Sequence, residues 1–505
     1  MEQHNNTRAQ LEFTDRTLPL EITAELMLPD YRSEISRLLW VRPTLLPPER
    51  FIGNGKAELS GTGRFEILYV GPEGNLYGTE ADSDYAFTLP LDGMSDHGIS
   101  AIELCVEPVV DAVVSRVMGP RKLAVRCRMH TRIRGYASKE LAVRIEGEGA
   151  GSDRICRLCD MTENGRFIGG GKEAISLSDT VDTEGNIRFI GAHGSVFLPE
   201  VTAARGEVRC KGEAEIVLLL CHEEEGAIPF TVTRRIPFAQ SIPMEDVTPD
   251  QQACAAGTLS EIHVSVEENG LALTAQLILT AQAQSEEPIL LEKDLFLPGS
   301  NAECHLSQED FWRAISCENR NFSISGERAM GDLGIGNEAE LIDITSEAEI
   351  KEKVPDGARY AVIGELHCHV LYRRAGEYGV AEFPIPFRVQ LESGCEDMSI
   401  GATVCGCRME SGRDALRIHA ELQLAIRSTS PAPVSVLSEA LLTPATESTV
   451  GADPEIYYPA PGETLWHVAK RYAIAPDALA AANGLSGDNP NAPDSLGGKR
   501  FILVS

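Results

Sequence analysis

One segment occurs three times in this chain at almost equal spacing. It begins at Gly212 and reads GEAEIVLLLCHEEEGAIPFTVTRRIPF, while the earlier copy, GTGRFEILYV, begins at Gly61 and the later copy, GELHCHVLYRR, begins at Gly364. The three glycines lie 151 and 152 residues apart. A period of this length indicates three copies of a whole domain rather than a solenoid of short units.

Residues before and after each glycine support the same alignment. Glutamates precede the three glycines by twelve residues: Glu49, Glu200 and Glu352. Each copy ends in an aromatic residue, which follows Ile-Pro in the second and third copies and Tyr-Ala in the first: Phe87, Phe238 and Phe387. The first two lie 26 residues after their glycines and the last lies 23 after, so we expect a loop three residues shorter in the third copy.

Hydrophobic alternation indicates β-strands in every copy. After Gly61, Phe65, Ile67 and Tyr69 alternate with charged residues, as in a half-buried strand. Longer alternating sets are predicted to be buried: Leu123, Val125, Cys127, Met129, Thr131 and Ile133; Leu271, Leu273, Ala275, Leu277 and Leu279; Leu416, Ile418, Ala420, Leu422, Leu424 and Ile426. Residues between the first set are predicted to face water: Arg126, Arg128, His130, Arg132 and Arg134. The turn Glu268-Asn269-Gly270 predicts a hairpin in the second copy.

The domain organisation follows from these patterns and from local composition. We predict a leader at 1–29, β modules at 30–150, 160–290 and 300–428, a flexible linker at 429–454, and a C-terminal domain at 455–505. The leader has no clear periodicity, and the linker is rich in Pro, Ser, Thr and Ala. Helical periodicity is scarce before residue 455. Each module is therefore most simply an antiparallel β-sandwich or an open barrel.

Composition limits the partners and the compartment. A net charge of −31 over 505 residues argues against nucleic acid and anionic membrane, because phosphate surfaces repel such a chain. The amino terminus shows no apolar signal-peptide region, and no run of eighteen apolar residues occurs, so we expect a cytosolic chain without membrane insertion. In a reducing cytosol the thirteen cysteines are expected to be mostly small buried hydrophobic residues.

The C-terminal segment has a different pattern from the modules. A predicted strand at 456–458 leads to a turn, after which Leu465, Val468, Ala469 and Tyr472 recur at helical spacing. Pro476 is predicted to open a second helix, the pair at 483–484 to end it with a left-handed cap, and residues 501–504 to form a strand. We therefore predict a mainly β fold: three related sandwich-like modules in series and a small βααβ domain.

The residues PGETLWHVAKRYAIAPDALAAANGLS, followed by LGGKRFIL, resemble a LysM domain. In that family a shallow groove between the loop after the first strand and the loop before the second binds N-acetylglucosamine-containing glycans. The resemblance implies one wall at Gly462, Glu463, Thr464 and Leu465, and the other at Asn483, Gly484 and Leu485. Interface-type side chains are predicted to complete the binding site: Trp466, Lys499 and Arg500. Trp466 is equally consistent with a core position.

The glycine-led strands and the Ile-Pro-Phe endings are similar to the SPOCS domain of endospore-forming bacteria. Several such copies before one LysM domain resemble the SipL-type spore-envelope morphogenetic proteins. The resemblance implies a non-enzymatic scaffold in the mother-cell cytosol, associated with the forespore, whose LysM domain binds the ATPase of the coat's basement layer. The alternative is a cell-wall protein that binds peptidoglycan or a GlcNAc-containing glycan, and a third possibility is a hydrolase site in a β module.

Motifs for catalysis or metal binding are weak. Cys156 and Cys159 form a single CxxC without a second pair at zinc spacing, and Cys405-Gly-Cys407 lies far away in sequence. The glycine cluster at 169–172 fails the phosphate-loop pattern because Glu173 follows the lysine. We therefore expect no catalytic residue, metal or cofactor.

One histidine pair has a different interpretation. The repeat alignment puts His367 and His369 on a mostly polar strand face and Cys368 in the core. This placement predicts two surface histidines rather than buried ligands.

Overall fold

The computed structural model describes residues 7–53, 55–91, 99–224, 226–267, 270–336, 338–357, 359–395, 397–412, 414–444, 455–487 and 489–504. Strands account for most of these residues, and the two helices lie near the C-terminal end. The mainly β prediction is confirmed. The turn residues Glu268 and Asn269 lie outside the described part of the chain, but Glu267 pairs with Gly270, so the predicted hairpin is present.

The first module is a sandwich of two sheets. Its strands are β1 (Thr7–Met27), β2 (Arg37–Leu45), β3 (Glu49–Gly53), β4 (Lys56–Val70), β5 (Leu76–Pro90), β6 (Ile99–Gly119) and β7 (Lys122–Leu141). One sheet has the order β1-β7-β6, and in the other β4 pairs with β2 and β3 on one side and β5 on the other. Between the sheets, Ile22 and Cys127 pack against Phe65 and Ile67. After this module comes the short strand β8 (Arg144–Gly147).

The second module repeats this plan. Its strands are β9 (Cys156–Asp182), β10 (Ile187–Ala204), β11 (Glu207–His222), β12 (Phe230–Pro243), β13 (Gln252–Glu267) and β14 (Gly270–Phe296). The sheets have the orders β9-β14-β13 and β10-β11-β12. Ile216 and Leu218 of β11 pack on Leu271 and Leu273 of β14, as the alternation predicts. The strand β15 (Ser300–Glu309) follows.

The third module has the same topology. Its strands are β16 (Trp312–Ala329), β17 (Glu340–Asp356), β18 (Arg359–Arg374), β19 (Glu377–Leu391), β20 (Met398–Ser411) and β21 (Ala415–Pro431). The sheets have the orders β16-β21-β20 and β17-β18-β19. In all three modules the first strand therefore pairs with the last, and the strand that carries the repeat glycine is central in the other sheet.

The repeat glycine is required by close contacts on both sides. A Cβ atom on Gly364 would lie 2.3 Å from the Glu349 carbonyl oxygen and 2.5 Å from the Phe387 ring. The neighbouring strand bulges at this point in the second and third copies, and in the first copy it is interrupted between β2 and β3. In the second and third copies only glycine leaves room for this approach of two backbones, while in the first a Cβ atom on Gly61 would overlap the Tyr85 side chain (2.5 Å).

Strand register corrects one detail of the repeat alignment. The aromatic residue opposite the glycine is Tyr85 in the first copy, Phe238 in the second and Phe387 in the third. Phe87 instead pairs with Leu59, so its assignment as the equivalent of Phe238 was wrong. The shorter loop of the third copy is confirmed, because only two residues separate β18 from β19.

Two predicted irregular segments are strands. The predicted leader contains β1, which pairs with β7 from Thr7 opposite Leu141 to Met27 opposite Lys122. Its charged residues and a bulge near Glu12 hide the alternation in the sequence. The predicted flexible linker contains β22 (Val434–Pro444), which pairs with β15 and, in parallel, with β8. Residues 445–454 of that linker lie outside the described residues.

The strands β8, β15 and β22 each follow one module and together form a sheet. Leu437, Ala440 and Leu442 of β22 pack against Leu295 at the end of β14. The segments after the three modules are thus gathered at one end of the molecule, which excludes a free tether at 434–444.

The three modules meet at a junction of equivalent residues. Seven residues after each repeat glycine stands a buried leucine: Leu68, Leu219 and Leu371. These three side chains belong to one cluster, which also contains Ile190 and Tyr378. A cavity of about 1510 Å³ lies between the modules and is lined by strands from all three. The modules are consecutive in the chain, but in space they are grouped around a common centre.

The polar face of β7 is less exposed to solvent than predicted. The alternating residues of β7 from Leu123 to Ile133 that were predicted to be buried are buried. Arg126 and Arg128, which lie between them, are exposed. Arg134 is buried and donates to Asp397 (3.2 Å) and to Thr429 (3.2 Å), both in the third module. The prediction of a fully wet face was wrong here, because a neighbouring module covers the end of the strand.

We predict that Gly364→Ala lowers the free energy of unfolding by about 1–3 kcal/mol, because the added methyl group overlaps two fixed neighbours. Gly191→Ala in β10 is the matched control, since its Cβ atom would have no neighbour within 4 Å. Urea unfolding of both variants measures the effect. Equal stability of the two variants would contradict the steric role of the repeat glycine.

Candidate recognition domain and its docking surface

The C-terminal domain consists of two short strands and two helices. They are β23 (Glu455–Tyr457), α1 (Leu465–Arg471), α2 (Pro476–Asn483) and β24 (Ile502–Val504). The order strand, helix, helix, strand confirms the predicted βααβ pattern. Leu465, Val468, Leu479, Ile502 and Val504 form its core. Gly484 ends α2 in the left-handed conformation (φ 60°), as predicted.

The first predicted wall is largely occupied by internal contacts. Gly462 is exposed, but Thr464 and Leu465 are buried. The Glu463 carboxylate accepts hydrogen bonds from the Tyr457 hydroxyl (2.7 Å) and from the Ala460 amide (2.7 Å), and it pairs with Arg471 (2.7 Å). Glu463 therefore holds the turn before α1 and has few acceptor positions left for a ligand.

The second wall is also structural in part. The buried Asn483 donates to the carbonyl of Leu503 (2.8 Å) and accepts from its amide (2.7 Å), so it fixes β24 to the end of α2. Lys499 donates to the Asn483 carbonyl. Gly484 and Arg500 are exposed and Leu485 is half-buried. These three residues and the exposed Lys499 are the part of this wall that a ligand can reach.

The segment before β24 bridges the two walls. The backbone N–H of Trp466 donates to the Pro490 carbonyl (2.8 Å), and that of Leu465 donates to the Ser495 hydroxyl (2.9 Å). The Thr464 hydroxyl also donates to Asn491 (3.1 Å). The amides at the start of α1 are thus already used within the domain, which narrows the predicted groove.

Trp466 docks the domain onto the second module. Its side chain is 2% exposed, and its ring lies 5.1 Å from that of Phe296 in an edge-to-face arrangement. The indole N–H donates to Asp294 (2.8 Å), and Lys470 forms an ion pair with the same carboxylate. This face of α1 is covered by the chain itself, which favours the core position of Trp466 over its predicted place in the binding site.

The surface that receives Trp466 is a two-stranded extension of the second module. We call residues 156–165 of β9 and 285–296 of β14 the arm; they remain paired beyond the sandwich. Cys156 and Leu158 of the arm, and Ala302 of β15, also contact the core of the C-terminal domain. This domain is therefore packed on the second module and its following strand.

Asp294 is held in its charged form. Although burial raises the pKa of this carboxyl, hydrogen bonds from Lys470 and Trp466 outweigh that effect and lower the pKa below its usual range. An aspartate with a lowered pKa stabilises the folded arrangement above its unfolded pKa and loses this contribution as the pH falls.

The outer face of the small sheet is apolar. Ile456 (52% exposed) lies opposite Leu503 (37%), and Tyr458 (69%) packs its ring 6.4 Å from that of Phe501 (47%). We call these four residues the outer patch. Both strands are predicted by the sequence, and the alternation of Ile456 with Tyr457 and of Phe501 with Ile502 indicates which of their residues point outward.

The residues of the other candidate motifs lie on strands of the β modules. Cys156 and Cys159 are three positions apart on the same strand, so their side chains leave opposite faces. Residues 169–172 lie within β9 and not in a loop. Cys368 is buried, and His367 and His369 are on the half-exposed face, as predicted. No helix among the described residues is long and apolar enough to cross a membrane.

We predict that Asp294→Asn weakens docking by about 1–2 kcal/mol, because Lys470 loses its carboxylate partner. Hydrogen–deuterium exchange of residues 465–471 should become faster. Glu292→Gln is the matched control, since it removes an ion pair with Arg157 (2.6 Å) on the same arm without a contact to Trp466. Equal exchange in the two variants would contradict the role of Asp294.

Docking should also depend on pH. The contribution of Asp294 is complete above the unfolded aspartate pKa of about 4 and is lost at lower pH, as the folded carboxyl becomes protonated. The difference in exchange between the wild type and Asp294→Asn should therefore disappear in acid. A difference that already disappears above the usual aspartate range would show that another group is responsible.

Comparison with known proteins identifies the C-terminal region only. Residues 460–495 match the family model of the LysM domain. No curated protein and no solved structure matches the chain significantly. The match covers a small part of the chain, so it classifies this domain and not the β modules. The βααβ unit docked on the arm is therefore a LysM domain, a type of module that binds carbohydrate such as peptidoglycan.

Proposed function

We propose that the chain is a non-enzymatic scaffold that positions its LysM domain for contact with a protein partner. The observation that carries this proposal is the outer patch on the LysM sheet. Large apolar groups that lie together at a surface are typical of protein interfaces, and aromatic side chains dominate the binding energy of many of them. Tyr458 and Phe501 supply two such side chains.

The packing of the LysM domain supports a positioning role. Trp466 and Lys470 attach the domain to Asp294, and β22 ties the end of the third module to β8 and β15. A domain held in this way loses little orientational freedom when it binds a partner, which favours affinity.

The finer part of the proposal rests on the resemblance to SPOCS domains and SipL-type proteins. It assigns the chain to the mother-cell cytosol and the forespore surface, and it names the ATPase of the coat's basement layer as the partner of the LysM domain. The buried thiols are consistent with a role other than catalysis. Burial raises the pKa of Cys105, Cys210 and Cys368 to about 12, which disfavours reactive thiolates.

A second candidate function is glycan binding. It is favoured by the family match at residues 460–495 and by the exposure of Gly462 and Gly484 at the predicted groove. A glycan would contact the groove rather than the outer patch. The two functions therefore predict that substitutions at different residues weaken binding.

We predict that Tyr458→Ser combined with Phe501→Ser, in the full chain, weakens binding to the basement-layer ATPase by at least about tenfold. Val266→Ser is the matched control, because Val266 is 65% exposed at the far end of β13. Isothermal titration calorimetry measures the protein contact, sedimentation with purified peptidoglycan measures the glycan contact, and thermal unfolding checks that both variants remain folded.

The outcomes separate the two functions. Loss of ATPase binding in the double variant, with unchanged binding in the control, supports the scaffold. Peptidoglycan binding that is unaffected by the double variant, together with no ATPase binding by the wild type, overturns the scaffold in favour of the groove.

A further inference from the structure

Two carboxylates and an imidazole meet on the third module, far along the chain from the LysM domain. One ligand-type atom from each of Glu349, Glu365 and His367 lies within 4.8 Å of the other two. His367 Nε2 is 2.7 Å from a Glu349 carboxylate oxygen. Among the described residues, this is the group of His, Cys, Asp and Glu side chains that satisfies the spacing of a metal site.

Strand geometry explains why the three side chains converge. Glu365 and His367 are two residues apart on β18, so they leave the same face of the sheet. Glu349 stands directly opposite Glu365 on β17 and diagonal to His367. On the other face Cys368 is buried in the core of the module. Two paired strands with a packed reverse face hold all three groups on a rigid support.

The other two modules provide an internal comparison. The position of His367 is occupied by Arg64 in the first module and by Glu215 in the second, three residues after the repeat glycine. In both cases the next strand of the same sheet, β5 or β12, supplies the opposite charge directly across the ladder. Asp82 lies 2.7 Å from Arg64, and Arg235 lies 2.6 Å from Glu215.

In the third module the corresponding strand, β19, supplies no opposite charge across from His367. The residue across from His367 is Pro384, which carries no charge and no polar side-chain atom. The neighbouring charge is instead supplied by two glutamates and by Lys351, whose Nζ lies 2.5 Å from Glu349 and 3.9 Å from Glu365. The ion pair across the ladder of the first two modules is thus replaced by a cluster with two acidic groups around one imidazole.

From this geometry we propose that Glu349, Glu365 and His367 bind a divalent transition metal ion, with Zn²⁺ as the best fit. One imidazole nitrogen and two carboxylate oxygens form a ligand set found in zinc sites with an open coordination position. The half-exposed position on the module surface leaves that position accessible to water or to a ligand from a partner.

Lys351 is the resident competitor for the metal. Its ammonium group occupies the space beside both carboxylates, but its side chain is long and half-exposed and can turn toward water. Metal binding then exchanges one monovalent ammonium for a divalent ion. His369 and Glu382 (3.9 Å apart) and Glu347 also lie on this face, and Arg42 of β2 in the first module interacts with Glu347.

Because Lys351 competes with the metal for the carboxylates, substitution of a ligand and substitution of Lys351 should change Zn²⁺ affinity in opposite directions. In the full chain, stripped of metal by a chelator, Glu349→Gln and His367→Gln should each weaken Zn²⁺ binding by at least about tenfold. Lys351→Met should strengthen it, because the competing ammonium is gone. His305→Gln is the matched control: His305 is another exposed histidine beside a glutamate (3.7 Å from Glu303), outside the cluster.

Calorimetry with Zn²⁺ measures affinity, and Co²⁺ substitution reports the ligand type. Thermal unfolding without metal verifies that each variant is folded. A visible Co²⁺ spectrum without thiolate charge-transfer absorption, lost in His367→Gln and retained in His305→Gln, supports the site. Thiolate absorption would place the metal on cysteines, and equal affinity in the wild type and the two ligand variants would mark adventitious binding; either result overturns the proposal.

Discussion

The buried cluster that contains three equivalent leucines is the interaction on which the rest of the architecture depends. Leu68, Leu219 and Leu371 occupy the same position of the same strand in each module, and all three are buried in this one cluster. One sandwich of this size can bury its own core, but the ends of these central strands are apolar and need cover. Mutual packing of the three copies removes that apolar surface from water.

This arrangement brings the ends of the modules together as well. Because the copies are grouped around one centre, the segments that follow them can pair as β8, β15 and β22. That sheet and the arm of the second module form the surface on which the LysM domain rests. The position of the recognition domain is thus a consequence of how the β modules pack, and its outer patch stays exposed while Trp466 and Phe296 are buried against each other.

Repetition also shows where the copies have diverged. The position three residues after the repeat glycine carries an ion pair across the ladder in two modules and the His367 cluster in the third. The side chain at this position is half-buried in the first and third modules and buried in the second, whereas the reverse face keeps the apolar Phe65, Ile216 and Cys368. This face can therefore carry different polar groups without a change of fold.

Sequence alone determined the elements whose signal is local. The spacing of Gly61, Gly212 and Gly364 established the threefold repeat, alternation established the central strands, and the helical spacing after Thr464 with the Gly484 cap established the βααβ domain. These features could be predicted because hydrophobic period and turn residues reflect the backbone of the same segment. Of the residues predicted for the groove, Gly462 and Gly484 are exposed, whereas Trp466 is buried against the arm.

Only the tertiary structure decided the contacts between segments distant in the chain. The first strand and β22 were not recognised, because their partners β7, β15 and β8 are supplied by other parts of the chain. The burial of Arg134 and of Trp466 depends on the third module and on the arm, respectively. A sequence shows which side chains are apolar and how they recur, but burial against a distant segment is a property of the folded chain, so the docked LysM domain and the common centre could be read only from the structure.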